Sequence, residues 1–323
     1  MIAFGEPLVQ FSPLESGPLS YASLFDKHVA GSESNVLIGI SRLGHRTALI
    51  TKLGTDELSR FILSTLKGEG VDTRWISQLP DKSCGIYISQ RNFPVPGKND
   101  VVYFRSDSAT RTFAASDLPR EAFAHGRIFH LSGITPALSD ACLKASFRAV
   151  RLAKENQMTF SFDPNYRRKL WPAKKAARAY KRLVASADII FLDVTEASII
   201  LEKEQRGAKP ELTARALAKL GPKVVVLKLG ARGGIAALCD GAYTHSPSFE
   251  VAVVDVIGAG DAVVAGFLSG LLDGKDPLTC LRWAAAASSL VVSRRGDFEN
   301  LPTPTQLESF LAARSDAGNF DLR

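Results

Sequence analysis

Cysteine is sparse in this chain. Cys84, Cys142, Cys239 and Cys280 lie far apart and form no C-x-x-C pair, which excludes a zinc ribbon and a disulfide framework and points to free thiols in a reducing cytoplasm. Long apolar runs are missing too. Nothing approaches the ~18 residues of a membrane span, and the opening MIAFGEPLVQFSP puts no basic stretch ahead of an apolar core, so the chain reads as soluble, unprocessed and cytoplasmic. Lys and Arg exceed Asp and Glu by 40 to 33, a net charge of +7, but the basic residues are dispersed and their longest clusters are Arg167-Arg168-Lys169 and Lys174-Lys175. That is thinner than a nucleic-acid stripe, and Trp75, Trp171 and Trp283 are too scattered to stack bases. Neither a nucleic acid nor a membrane is expected as a partner. No repeat of 20 to 50 residues, no Pro/Ser-rich linker, no G-x-x-x-x-G-K-[ST] loop and no early G-x-G-x-x-G is present. These absences remove solenoids and propellers, disfavour a Walker-type NTPase and make a Rossmann dehydrogenase a poor fit.

What is present is an ordinary globular composition, 46% hydrophobic over 323 residues, enough for a large core. From Arg127 onward, apolar runs alternate with helix-like segments: RIFHLSG, 139–156, MTFSFD, 173–186, DIIFLD, and then KVVVLKLG at 223–230. Strands that are apolar without strict alternation, separated by helices, predict a parallel sheet covered on both faces. Before them, IAFGE and LVQFS read as strands, 33–43 as a helix closed by Gly44, RTALITKLG as a strand and 56–69 as a helix closed by Gly70. Residues 84–106 break the rhythm. CGIYISQRN and NDVVYFRSD flank FPVPGK as a hairpin, which fits an active-site lid and an ordinary surface hairpin equally well.

The segment richest in chemistry is Asp255-Val-Ile-Gly-Ala-Gly-Asp261, followed by the helical run AVVAGFLSGLL. The N–H groups of Gly258, Ala259 and Gly260 would open a helix unpaired, where its dipole favours a transferring phosphoryl group, and Asp261 beside them could take a proton from an attacking hydroxyl. The same string also fits a plain helix start whose Asp261 complements the dipole. Lys228-Leu-Gly230-Ala-Arg-Gly233-Gly234 adds a glycine-rich turn after a strand, where a nucleotide could lie.

With these motifs in view, the chain resembles the PfkB or ribokinase-like carbohydrate kinases. Their signature is similar to DVIGAGDAVVAGFL, and their first conserved region is similar to GSESNVLIGISRLGHRTALITKLGTDELSRFI. Within that family it is most similar to the 2-keto-3-deoxygluconate kinases, through GEPLVQF at 5–11, GSESN at 31–35, GIYIS at 85–89, VYFRSDSA at 102–109, HLSGITPALS at 130–139, FDPNYRRKLW at 162–171 and RGD at 295–297. The resemblance implies a three-layer α/β/α fold in one catalytic domain over 1–323, with a mostly parallel central sheet and a small β lid from about 8–25 and 84–108. It implies Asp261 as catalytic base, with Gly258, Ala259 and Gly260 as the anion hole. Gly31, Asn35, Tyr87, Tyr103, Arg105, Arg167 and Asp297 would bind a sugar acid. A carboxylate suits the planar forks of arginines and the hydroxyls suit Tyr, Asn and Asp, while Arg167 could instead reach the transferring phosphoryl group.

ATP would lie across Asn165, Asp193, Lys228, Gly230 and Gly233, with Mg²⁺ served by Glu196 through water. The family's N-x-x-E motif is matched by Asp193-Val-Thr-Glu196, with Asp193 where Asn is usual, and Val256, Ile257, Val263 and Ala285 also depart from the family pattern. His130 reads as packing. The implied activity is ATP-dependent phosphorylation of a primary hydroxyl of 2-keto-3-deoxygluconate, in a homo-oligomer joined through the lid. The alternatives are another acceptor (2-keto-3-deoxygalactonate, fructose, ribose or a nucleoside) and a sugar-binding protein without catalysis. A last helix and a polar tail are expected after Pro302.

Overall fold

The computed structural model describes residues 1–15, 17–91, 93–95 and 99–315. The 96–98 end of the expected FPVPGK turn and the tail 316–323 lie outside the described residues. In chain order the strands are β1 Ile2–Phe4, β2 Leu8–Pro13, β3 Phe25–Ala30, β4 Thr47–Gly54, β5 Val71–Asp72, β6 Ile76–Leu79, β7 Gly85–Arg91, β8 Asn99–Phe104, β9 Ile128–Ser132, β10 Thr159–Asp163, β11 Ile189–Asp193, β12 Val224–Lys228, β13 Gly234–Leu238 and β14 Tyr243–Ser246. They form a ten-stranded sheet in the order β14-β13-β12-β11-β10-β9-β1-β4-β5, with β6 also on β4, and a four-stranded sheet in the order β3-β2-β7-β8.

Pairing from β12 through β11, β10, β9 and β1 to β4 is parallel, as the unbroken apolar runs predict. Both faces of these strands are buried. Ile190 and Leu192 of β11 pack with Phe129, Phe160, Phe162 and the helices Asp140–Glu155 and Ala173–Ser186. Ile189 and Phe191 of the same strand face the opposite layer, with Val264 and Leu268 of the helix Ala259–Leu272 and Ala284 of the helix Pro277–Val292. The helices begin where capping residues occur: Ser139 accepts the Cys142 N–H at 3.0 Å, and Asp56 accepts those of Leu58 and Ser59 at 3.0 Å. The glycine-rich turn after β12 leads into an antiparallel hairpin, so β13 and β14 end the sheet antiparallel.

The second sheet takes in both segments expected to form the lid, and it holds a strand the sequence did not suggest. β3 pairs antiparallel with β2 over its whole length, extending the lid's first segment to Ala30. Chain connectivity explains the arrangement. The lid leaves the body between β1 and the helix Ser32–Arg42, and again between β6 and β9, so four chain crossings join the two sheets.

Candidate active site

In an open parallel sheet, ligands bind beyond the carboxyl ends of the strands. Here β1 runs into Glu6, and β9, β10, β11 and β12 end on Ser132, Asp163, Asp193 and Lys228. A cleft of about 730 Å³ opens over this edge, beneath the lid. A groove of about 840 Å³ lies at the amino ends of the same strands, around Arg46, Arg74 and Arg127, but among the described residues it is lined by no buried carboxylate.

Asp261, in the first turn of the helix Ala259–Leu272, is 8% exposed. Ser32 donates to its Oδ1 at 2.7 Å and Asn35 to its Oδ2 at 2.8 Å, both from the first turn of the helix Ser32–Arg42, while the Asn165 amide reaches Oδ1 at 3.3 Å. Burial raises the Asp261 carboxyl above its ordinary value against these hydrogen bonds, which makes it a stronger base. The same Asn35 amide donates to Asp297 Oδ1 at 2.7 Å, and Tyr87 from the lid donates to Asp297 Oδ2 at 3.2 Å. Burial, then the charges of Asp261 and Glu299, push Asp297 up to about 8, so it holds a proton at neutral pH.

The helix start that carries Asp261 needs Gly258. Its φ is +76°, and a Cβ there would stand 2.4 Å from the Asp297 carbonyl oxygen. This left-handed residue closes a turn in which the Ala259 N–H points back to Val256 O at 3.3 Å. The anion hole expected from Gly258, Ala259 and Gly260 is corrected accordingly: among the described residues the amides without an acceptor are those of Gly258, Gly260 and Asp261 itself. Ala259 does not line the cleft.

Behind this helix start, Lys228 donates to both oxygens of Asp163, at 2.9 and 3.1 Å. Burial alone would lower the ammonium's pKa, but Asp163 and then Glu196 outweigh it and raise the value, so Lys228 is charged. Glu196 and Asp193 form a capping box at the start of the helix Val194–Leu201. Asp193 Oδ1 accepts the Glu196 N–H and Glu196 Oε2 the Asp193 N–H, each at 2.8 Å. Glu196 Oε1 takes the Tyr166 N–H at 2.9 Å, and burial pushes this carboxyl up to about 7. Among the described residues no group of three or more His, Cys, Asp and Glu gathers as a metal site. Asn165, expected at the nucleotide, lines the cleft and donates to Ser32 Oγ at 2.9 Å.

On the lid side the two expected arginines differ. Arg105 is 5% exposed and paired through Nη2 with the buried Glu6, which also accepts from Ser108; its buried Nε has no partner among the described residues. Arg167 is exposed and lines the cleft, and its guanidinium makes no hydrogen bond among the described residues. Gly31 sits at φ +125°, where a Cβ would meet Glu6 O at 2.6 Å. Tyr87 and Tyr103 face each other across paired strands, ring centroids 6.0 Å apart.

All the expected residues except Ala259 and Gly233 therefore line one cleft. Gly233 lies in an adjoining hollow of about 60 Å³ with Gly230, Ser248 and Ala285. His130 is fully buried, 2.9 Å from Ser161 Oγ, as packing requires. Glu6, Ser32 and Asp163 were missed. The motif strings GEP, GSESN and FDPN contained them, but only their partners from distant segments show what they do.

A family model described as pfkB family carbohydrate kinase matches residues 1–304. A 2-dehydro-3-deoxygluconokinase of Thermoproteus tenax is 39% identical over 97% of this chain and 94% of its own length, and a 2-dehydro-3-deoxygalactonokinase of Haloferax volcanii is 32% identical over 98% of both. The crystal structure of a 2-dehydro-3-deoxygluconokinase from Thermotoga maritima superposes with a TM-score of 0.87 at 26% identity, over 96% of this chain and 98% of that one. A buried carboxylate at an open helix start, a β lid above it and a match along nearly the whole sequence lead to one statement: the chain belongs to the pfkB family of carbohydrate kinases.

Proposed function

We propose that the protein transfers the γ-phosphoryl group of ATP to a primary hydroxyl of 2-keto-3-deoxygluconate. The observation that carries this reading is the position of Asp261, a buried carboxylate held by Ser32 and Asn35 at a helix start where the amides of Gly258, Gly260 and Asp261 have no acceptor among the described residues. As the hydroxyl oxygen bonds to phosphorus, Asp261 takes its proton, and the bond to the leaving ADP oxygen breaks with its electron pair going to ADP. The amides of Gly258, Gly260 and Asp261 meet the charge on the transferring group. Mg²⁺, when bound, neutralises phosphate charge. The cleft suits an ion held mostly by phosphate and water, with Glu196 acting through water because backbone N–H groups already engage both its oxygens.

An acceptor carboxylate is favoured by Arg167, an unpaired fork over the cleft, and by Asp297, which as a protonated acid can donate as well as accept. The names of the Thermoproteus and Haloferax relatives support a keto-deoxy sugar acid and keep the galactonate epimer as the second reading. The test is ADP release with ATP and magnesium against 2-keto-3-deoxygluconate, its galactonate epimer, fructose, ribose and adenosine. Turnover confined to the keto-deoxy acids is expected; turnover only with a neutral acceptor would overturn the role of Arg167.

The reading includes a dimer through the lid. Leu24, Phe25, Val102 and Phe104 are 65%, 37%, 39% and 58% exposed on the lid, and in β8 the exposed Val102 and Phe104 alternate with the cleft-facing Val101 and Tyr103. F104D should shift the particle to half its mass in light scattering. Among the described residues no helix is long and apolar enough to cross a membrane, and the four cysteines are free, which supports a cytoplasmic setting.

A further inference from the structure

Lys228 and Asp163 form an ion pair beneath the reacting centre, and Asp163 has no role in the chemistry so far described. Asp163 is fully buried at the carboxyl end of β10, and Lys228 reaches it from β12, past the intervening strand. Two of the three ammonium donors are spent on the two Asp163 oxygens; the third has no partner among the described residues. Lys228 lines the cleft, and a Cβ built on Gly260 would lie 3.8 Å from its Nζ, so the free donor stands beside the open helix start. Asp163 works in the other direction too. Its Oδ1 accepts the Asn165 N–H at 3.0 Å, fixing a residue at φ +38° whose side-chain amide braces Ser32 and Asp261. A buried pair of this kind is a poor way to gain stability, because apolar side chains of the same volume usually do as well.

We propose that Lys228 is a catalytic cation that stabilises the charge on the transferring phosphoryl group, and that Asp163 is the positioning residue that holds both Lys228 and the Asn165 brace of the base. The inference rests on the phosphoryl-transfer reading. Lys228 keeps its proton throughout: the acceptor oxygen–phosphorus bond forms, the phosphorus–oxygen bond to ADP breaks, the acceptor's proton goes to Asp261, and the ammonium meets negative charge that grows between the two oxygens. Asp163 balances that ammonium before the nucleotide arrives.

The test compares K228M, K228R, D163N and the double variant D163N/K228M as full-length protein. Three quantities are read: kcat with KM for ATP and acceptor, the calorimetric affinity for a non-hydrolysable ATP analogue with magnesium, and the thermal midpoint. K228M should lose about 100-fold in kcat and about tenfold in analogue affinity with the acceptor KM unchanged, and K228R should recover part of the kcat. D163N should lower kcat about tenfold while leaving analogue affinity within about threefold. The double variant should regain thermal stability but not turnover. If K228M keeps kcat within about threefold of wild type, or if the double variant regains turnover with stability, the pair is structural and the proposal falls. Should no acceptor support wild-type turnover, the reading of the reaction fails by itself, and the analogue still decides Lys228, since unchanged affinity in K228M overturns it.

Discussion

On the acid–base side of the cleft, every carboxylate oxygen is occupied: Asp261 by Ser32, Asn35 and Asn165, Asp297 by Asn35 and Tyr87. Around the helix start the pattern reverses, with the Gly258, Gly260 and Asp261 amides and the Arg167 guanidinium lacking acceptors among the described residues. Groups that must hold a geometry before the substrate arrives are saturated internally; groups that must greet a ligand's charge are left open. The two arginines repeat the contrast over a short distance, since Arg105 is neutralised by Glu6 and Arg167 is not.

The sharpest way to break this contrast is D261N. It keeps the shape and the Asn35 contact but removes the proton acceptor, so kcat should fall about 10³-fold with acceptor and nucleotide affinity nearly unchanged in steady-state and calorimetric assays. Next comes the saturated arginine. R105M leaves Glu6 as a buried unpaired charge and should cost about 3 kcal/mol in urea unfolding, with R105M/E6L recovering most of it. A smaller effect is expected at the open arginine, where R167Q should lose about 10- to 100-fold in kcat/KM for an anionic acceptor and leave the urea midpoint within error.

The smallest effect concerns the lid's charged latch. His28 Nδ1 on β3 lies 2.6 Å from Glu299 Oε1, and Glu299 Oε2 accepts the Asp297 N–H at 2.8 Å. The hydrogen bond with Glu299 raises the His28 pKa above its ordinary 6.5, against burial. Burial would raise Glu299, but its bond to His28 lowers it below its ordinary 4.5. The histidine's contribution is complete below 6.5 and fades as pH rises through its raised value. The carboxylate's contribution is complete above 4.5 and fades as pH falls through its lowered value. H28Q should therefore lower the thermal midpoint most between those two pH values and least in alkali. A deficit independent of pH would show that the latch is packing and not charge.

Much of the body was legible in one dimension because strands buried on both faces have no polar alternation to confuse with a loop. β3 was not. Its FDKHVA carries Asp26, Lys27 and His28, which reads as surface, and the strand forms only because β2 supplies a full ladder beside it. Asp261 and its helix start were visible in GAGD, yet the turn that redirects the Ala259 amide depends on Gly258 meeting the distant Asp297 backbone. Isolated acids hid best. Glu33 is buried, accepting from Ser132 and Thr135 some hundred residues on, and Glu6 and Asp163 likewise gain meaning from partners far along the chain. Arg105 was recognised as a cleft residue, but its neutralisation by Glu6 is a fact of three dimensions.

The Glu6–Arg105 pair also sits where the first and last of the four chain crossings enter the lid, which makes it a hinge pin. Asn99, at the far end of β8, is six residues from Arg105, about 20 Å along an extended strand. On a lever of that length a rotation of only about ten degrees moves the rim by about 3.5 Å. That is enough to part Asn99 from Asp255 at 3.2 Å, and Asp100 from Lys169 at 2.6 Å, with the pin undisturbed. Unsealing the cleft about that pivot therefore costs the rim contacts, the Lys169–Val101 hydrogen bond among them, together with the Tyr87–Asp297 and His28–Glu299 contacts, while the buried pair at the pivot stays intact.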